Sequence, residues 1–253
     1  MTERQAKLVK LVNQYHKIQV SRLAELLSVS QVTIRKDLDQ LEEEGLLTRE
    51  HGYALMKNSS DINTRLTINY ETKMAIAKKA CEMVSDGETV MLESGSTCAL
   101  FAEELAREHK NVTIITNSAY IAIRIRDLPI RKVILLGGEY QKEYQGMVGP
   151  LVRKCAREFY VDKFFVGTDG FIPDQGFTCD DLLRVETMQY MSDSANSMII
   201  LTDSSKFNKH GVVVQTTFDE VDTIITDDEI NDKALGIIKD KGLKVVMVHS
   251  EED

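Results

Sequence analysis

Residues Val20 to Ala54, VSRLAELLSVSQVTIRKDLDQLEEEGLLTREHGYA, constrain this chain more than any other stretch, because their pattern predicts two short helices, a tight turn and a hairpin. Leu23, Leu26 and Leu27 form one apolar face at helical spacing, and Ser28 and Val29 interrupt it. Ser30 is placed to cap a second helix whose inward positions are Ile34, Leu38 and Leu41. The outward face then carries Gln31, Thr33, Arg35 and Lys36. These supply amide, hydroxyl and cationic groups at the front of a helix, the end that a helix-turn-helix presents to base edges and phosphates. An earlier helix is announced by Thr2 and Gln5 at capping-box spacing, with Leu8, Val9, Leu11, Val12 and Tyr15 on one side. After Gly45 ends the third helix, Leu47 to Glu50 predicts a strand and His51-Gly52 a hairpin turn. That wing would carry Arg49, His51 and Tyr53 towards the DNA backbone or minor groove. The competing reading is a small helical interaction domain in which Arg35 and Lys36 are merely solvated. Turn, caps, basic front and wing in this order favour DNA.

An acidic chain is an odd nucleic-acid binder until its charge is divided along the sequence. The 253 residues carry a net charge of −9. Residues 1–57 hold nine Lys/Arg against eight Asp/Glu, and the remainder holds twenty-two against thirty-two, so the acidity belongs to the second part. Within the first part Asp39, Glu42, Glu43 and Glu44 sit at the back of the recognition helix and leave its front basic. Length and composition suit a small module plus one domain with a sizeable core. Cys81, Cys98, Cys155 and Cys179 form no CxxC pair and no ligand-spaced cluster with the histidines, so no metal and no cofactor is expected. Scattered thiols, with neither a leader-like segment nor a long apolar run, make the cytoplasm the expected location and exclude a membrane partner. Cys98 is read as a buried thiol, with reactivity towards thiol reagents as the alternative.

Between Lys57 and Tyr70 the polar stretch NSSDINTR interrupts the apolar periodicity, and the linker is placed there, over residues 58–70, between domains at 1–57 and 71–253. ETKMAIAKKACEMV then reads as an amphipathic helix. Beyond it, strand-length apolar runs alternate with helical stretches: Thr89–Leu92, Val112–Thr116, Lys132–Leu136, Lys163–Gly167, Met198–Thr202, Thr223–Thr226 and Lys244–Val248. This predicts a three-layer α/β domain with a mostly parallel sheet, joined to the small N-terminal winged helix-turn-helix. Ligands in such sheets sit beyond the carboxyl ends of the strands. The first run is followed there by Ser94-Gly95-Ser96-Thr97, a small turn at a helix N-terminus that offers N–H groups, hydroxyls and a favourable dipole to a phosphate, although capping uses the same residues. Asn117 and Ser118 follow the second run, and Gly137-Gly138 the third, with hydrogen-bonding groups and close backbone approach respectively. Asp169 and Gly170 follow the fourth, Asp203 and Lys206 the fifth. Asp169 is either an acceptor for sugar hydroxyls or a turn former, and Lys206 either balances an anionic ligand or is solvated. Five such turns at one end of one sheet argue together for a site.

The segments VS-x-x-TIRKDL and LEEEGLLTR-x-HG resemble the N-terminal winged helix of the DeoR-type bacterial regulators of sugar metabolism. That family typically shows TIRRDL and HGGA; here Lys36 exchanges a planar fork for a point charge and Tyr53 replaces the second wing glycine. Both departures bear on which operator is read. Further on, Glu71 with Lys73-Met74 (one residue closer than the usual E-x-x-K), ESGST, TNS, LLGG, VDKFFVGTDG and DSSKF resemble the effector domain of the same family, which is similar to ribose-5-phosphate isomerase. The resemblance implies that Ser94, Gly95, Ser96 and Thr97 hold the phosphate of a phosphorylated sugar, with Asn117, Asp169 and Lys206 near its sugar end. It implies a repressor acting as a homo-oligomer, dimer or tetramer, on double-stranded operator DNA. The alternative is a sugar-phosphate isomerase-like enzyme with an accessory DNA-binding module, since Asp180, Asp181 and Glu186 lie in the right region. The glycine-rich stretch that carries the base in those isomerases is replaced here by Gly176-Phe177-Thr178-Cys179-Asp180-Asp181, so no catalytic residue is expected.

Overall fold

Thr2 and Gln5 close a reciprocal cap at the head of α1 (Glu3–Tyr15): the Thr2 amide donates to Gln5 Oε1 at 2.7 Å and the Gln5 amide to Thr2 Oγ1 at 3.3 Å. The computed structural model describes residues 2–15, 17–43, 46–56, 61–108 and 111–249. It divides the chain into two compact units, Met1–Tyr70 and Glu71–Asp253. Glu44 and Gly45, expected to end the third helix, and residues 57–60 of the expected linker lie outside the described residues.

In the first unit α1 is followed by β1 (Lys17–Gln19), α2 (Val20–Leu26), α3 (Gln31–Glu43) and the hairpin β2 (Leu47–Glu50) and β3 (Tyr53–Met56). Leu8, Val9, Val12, Leu23, Ile34, Leu38 and Leu41 are buried together, so three helices share one core as their spacing predicts. Two expected core positions fail. Tyr15, the last residue of α1, is 50% exposed, and Leu26, the last residue of α2, is 38% exposed; Ala24 is buried instead. The sheet order is β1-β3-β2, all antiparallel. The sequence gives no sign of β1, a strand of three residues in which only Ile18 is buried. Arg4 reaches Asp37 through two bonds, Nε to Oδ2 at 2.6 Å and Nη2 to Oδ1 at 3.0 Å, and so ties α1 to α3. The stretch read as linker carries a short helix, α4 (Ile62–Thr67), capped by Asp61, and Ile68 behind it packs on the core of this unit.

The second unit takes up α5 (Tyr70–Cys81) from Glu71 onwards and runs β4 (Thr89–Leu92), α6 (Ser96–Glu108), β5 (Thr113–Thr116), α7 (Ala119–Arg124) and β6 (Lys132–Leu135). A small hairpin, β7 (Glu139–Gln141) and β8 (Gly146–Val148), precedes α8 (Pro150–Ala156) and β9 (Val161–Val166). Then come β10 (Gly170–Ile172), β11 (Gly176–Cys179), α9 (Leu182–Ser192), β12 (Ala195–Leu201), β13 (Val213–Thr216), β14 (Thr223–Asp227), α10 (Asp232–Asp240) and β15 (Lys244–Val248). All seven apolar runs of the sequence are strands of one parallel sheet, in the order β15-β14-β12-β9-β4-β5-β6. The chain walks outward from β4 through β5 to β6, then restarts at β9 and walks the other way. Right-handed crossovers in opposite directions put helices on opposite faces and leave a crevice at the reversal, between the carboxyl ends of β4 and β9. A second sheet, β10-β11-β13, packs Phe171 and Phe177 against Phe207 and Phe218, with ring centroids between 5.4 and 6.2 Å apart.

Candidate functional site

On the first unit α3 opens with Ser30 and Thr33 bonded to each other. The Ser30 hydroxyl accepts from the Thr33 amide at 3.1 Å and pairs with Thr33 Oγ1 at 2.9 Å, so both side chains are engaged in capping the helix they open. Gln31, Arg35 and Lys36 are exposed on that helix. Val32 stands among them at 75% exposure, an apolar group of the kind that meets a thymine methyl, which the sequence reading passed over in favour of polar neighbours. His51 and Gly52 both have positive φ, 48° and 84°, and join Glu50 to its partner Tyr53 in a two-residue turn whose twist suits the hairpin. Arg49 is drawn back towards α3, with Nη1 at 2.8 Å from Asp39 Oδ1 and its amide at 3.0 Å from Glu42 Oε1. Tyr53 accepts from Gln19 Nε2 at 2.8 Å and lies under the Lys17 ammonium, 4.9 Å from the ring centre, so it braces β1 against the wing.

On the second unit the turn after β4 lies at the crevice. Gly95 caps α6: its carbonyl accepts from the Ala99 amide at 3.0 Å. The caps of α3, α7, α9 and α10 are Ser30, Ser118, Asp181 and Asn231, each offering a side-chain oxygen to its helix. Gly95 offers none to the first-turn amides, and it is glycine for want of room, since a Cβ there would stand 3.0 Å from Glu93 Oε2 and 3.5 Å from Gly167 Cα. The β4 and β9 turns therefore pass close to each other at Gly95 and Gly167. Ser94, Ser96 and Thr97 are buried beside them. Across the mouth, Gly146 of the small hairpin would bring a Cβ within 3.0 Å of Ser94, and Asn117 Nδ2 donates to Met147 O at 2.8 Å.

Beneath this turn lies a charged cluster that the sequence reading missed. Arg184 on α9 reaches Glu93 Oε1 at 3.1 Å and Asp169 Oδ2 at 3.0 Å, with all three side chains at least nine-tenths buried. Burial works to lower the Arg184 pKa, but Asp169 and Glu93 outweigh it and hold the guanidinium well above its ordinary value. Tyr144, from the hairpin turn, stacks on that guanidinium with its ring centre 4.1 Å away. Burial also pushes the Cys179 thiol up to about 12, with Arg184 opposing and Asp169 adding to the rise; Cys179 Sγ donates to Asp169 Oδ2 at 3.2 Å. Nothing in the residue pattern distinguishes Arg184 from a solvated cation, because its burial follows from where α9 packs.

The remaining expected residues are placed as follows. Ser118 accepts from the Ile121 amide at 3.1 Å and caps α7. Gly138 lies where a Cβ would meet Val148 O and Val152 Cγ2, both at 2.7 Å, so its close approach is to β8 and α8. Asp169 is held by Arg184 as described. Lys206 sits in a half-buried 3₁₀ turn after β12, two strands from β4, at roughly 10 Å for the usual interstrand spacing. Asp203 caps that turn through the Ser205 amide at 3.2 Å. Asp181 caps α9 through the Arg184 amide at 2.8 Å. Cys98 is buried, with Sγ 3.6 Å from Phe165 O. Among the described residues no group of His, Cys, Asp and Glu is arranged to hold a metal, and no helix is long and apolar enough to cross a membrane.

Two family models match this chain: a DeoR-like helix-turn-helix domain over residues 4–60 and a DeoR C-terminal sensor domain over residues 68–228. The chain is 33% identical to the HTH-type transcriptional regulator GolR of Listeria innocua over 96% of its own length and 97% of that protein's. It is 30% identical to the glycerol-3-phosphate regulon repressor of Escherichia coli K12, covering 89% of this chain and 90% of the repressor. It is 31% identical to the lactose phosphotransferase system repressor of Lactococcus lactis, covering 86% and 88%. Among solved structures, ribose 5-phosphate isomerase A from Methanocaldococcus jannaschii matches over 55% of each chain with a TM-score of 0.42 and 24% identity.

Proposed function

This chain belongs to the DeoR family of transcriptional regulators, and on that premise we propose that it represses a carbohydrate-utilisation operon under the control of a phosphorylated sugar. Residues 1–57 bind operator DNA, 58–70 link the two functions, and 71–253 sense the effector and form a homo-oligomer. Gln31, Thr33, Arg35 and Lys36, with Ser30 at the cap, face the major groove, and Arg49, His51 and Tyr53 of the wing face the backbone or minor groove. Symmetric copies present paired recognition helices to repeated half-sites, which a single module of such small positive charge needs for affinity. The chain acts in the cytoplasm, carries no cofactor and turns nothing over: a sensor that consumed its effector would report on its own rate as well as on the metabolite.

The observation that carries the effector reading is the cap of α6. Gly95 supplies no side-chain acceptor to the first-turn amides, and this helix end opens at the reversal of strand order, between β4 and β9. The phosphate is held there by Ser94, Gly95, Ser96 and Thr97. Asn117, Ser118, Gly138, Asp169 and Lys206 surround the sugar end, several of them through the caps and turns they build. Thermal-shift screening of the purified chain against sugar phosphates and their unphosphorylated parents tests this. A ligand that binds only the folded state raises the midpoint with occupancy. One phosphate should raise it and its parent sugar should not; a panel without any shift, or a parent sugar equal to its phosphate, contradicts the reading. An enzyme would show itself as turnover of the compound that binds.

A further inference from the structure

Four buried oxygens around this crevice have no hydrogen-bond partner among the described residues: Glu93 Oε2, Asn117 Oδ1, Gln141 Oε1 and Gln215 Oε1. All four are acceptors, and their orientation is set. Asn117 Nδ2 donates to Met147 O and Gln215 Nε2 to Gly167 O, each at 2.8 Å. A carbonyl only accepts, so these bonds fix which end of each amide is nitrogen and leave the oxygen over. Gln141 Nε2 faces the two Asp181 oxygens, each at 3.4 Å, with the same result. Glu93 Oε1 already takes Ser94 Oγ and Arg184, while Oε2 stands beside Gly95 and Gly167. Gln215 hangs on that same Gly167, and Asn117 and Gln141 border Gly146, whose neighbour is Ser94. Two buried guanidinium donors lack a partner among the described residues, Arg184 Nε in this cluster and Arg153 Nε, whose guanidinium lies over the Tyr190 ring. Buried acceptors without donors are costly, and here the surplus gathers around one turn.

We infer that this crevice is a donor-reading subsite: the sugar end of the effector is recognised through several free hydroxyls that donate to Glu93, Asn117, Gln141 and Gln215, so a fully hydroxylated sugar phosphate is selected and deoxy sugars and sugar acids are rejected. The inference rests on the proposed sugar-phosphate site and adds to it which chemistry that site refuses. A hydroxyl replaced by hydrogen leaves a buried acceptor unmet, and a carboxylate in place of the aldehyde carbon brings further acceptors, and a charge like that of Glu93, to a site whose acceptors already lack donors.

Calorimetric titration of the full chain with ribose 5-phosphate, glucose 6-phosphate and galactose 6-phosphate, each against its 2-deoxy analogue and its phosphorylated aldonic acid, tests this. For the sugar that binds, both counterparts should be weaker by roughly 10- to 100-fold. Glu93→Gln, which keeps the volume and removes the charge, should narrow the gap to the aldonic acid; Gln215→Met should narrow the gap to the deoxy sugar. A sugar phosphate that binds no better than its deoxy or acid counterpart overturns the inference and leaves the phosphate site standing. Absence of binding by every phosphate overturns both. Misfolding of either variant leaves the comparison on the parent chain decisive.

Discussion

At the residue scale, Arg184 holds the candidate site together. Its guanidinium is the one charge that Glu93 and Asp169 share, and it is covered by Tyr144. Arg184→Met removes the guanidinium that bridges two buried carboxylates and should destabilise the second unit by roughly 3–5 kcal/mol, seen as a lower urea midpoint. Adding Glu93→Gln and Asp169→Asn to that variant should restore part of the loss. A midpoint unchanged by Arg184→Met would mean that the cluster is solvated. Two thiols carry a pH signature of their own. Cys81 and Cys179 are both pushed by burial from 9.0 to about 12. A folded-state pKa raised above the unfolded one gives stability that is complete below the unfolded value and is lost as pH climbs towards the folded one. Unfolding midpoints should therefore fall between pH 9 and about 12, and Cys81→Ala with Cys179→Ala should flatten that fall. Below that window both thiols should resist iodoacetamide in the folded chain. Rapid alkylation of Cys179 at neutral pH would contradict its placement against Asp169.

At the scale of elements, helix caps separate structure from function. Ser30 caps α3, and on the proposed function it stands where DNA approaches. Ser30→Asp preserves the cap and should leave stability within about 0.5 kcal/mol, yet it places a charge against phosphates and should weaken DNA binding strongly; Ser30→Ala should cost about 1 kcal/mol in stability. Equal DNA binding by Ser30→Asp would move the front of α3 out of the groove. The same comparison shows what a sequence can and cannot tell. The seven strands of the large sheet were legible because each is a run of Val, Ile, Leu, Met or Phe bounded by turn residues. The Thr2–Gln5 box and the Ser30 cap were legible because capping is local. Hidden from view were β1, the β7–β8 hairpin and the β10-β11-β13 sheet, strands of three or four residues too short to show a period. In β11 every residue is buried, so even alternation is absent. In the candidate site, Ser94 to Thr97 and Asn117 stood out by type. Arg184, Tyr144 and Gln215 did not, because each comes from a distant segment, and only the fold sets Arg184 against Glu93, Tyr144 against Arg184 and Gln215 against Gly167.

At the scale of the whole molecule, a basic-fronted winged helix is joined to an acidic α/β unit, and the proposed function requires one to answer the other. An effector alters DNA affinity only if it binds one arrangement of the oligomer better than another. A coupling of 1–3 kcal/mol corresponds to roughly 5- to 150-fold in operator affinity. The most direct test is fluorescence anisotropy of the full chain on a duplex selected by this protein from a random pool, titrated with a panel of sugar phosphates and their parent sugars. One phosphorylated sugar should shift the DNA dissociation constant by a factor in that range, its parent should not, and Ser96→Asp, which puts a carboxylate at the proposed phosphate position, should abolish the shift while basal DNA binding survives. A DNA affinity indifferent to every phosphate, or a Ser96→Asp chain that still responds in full, would contradict control through the β4–β9 crevice.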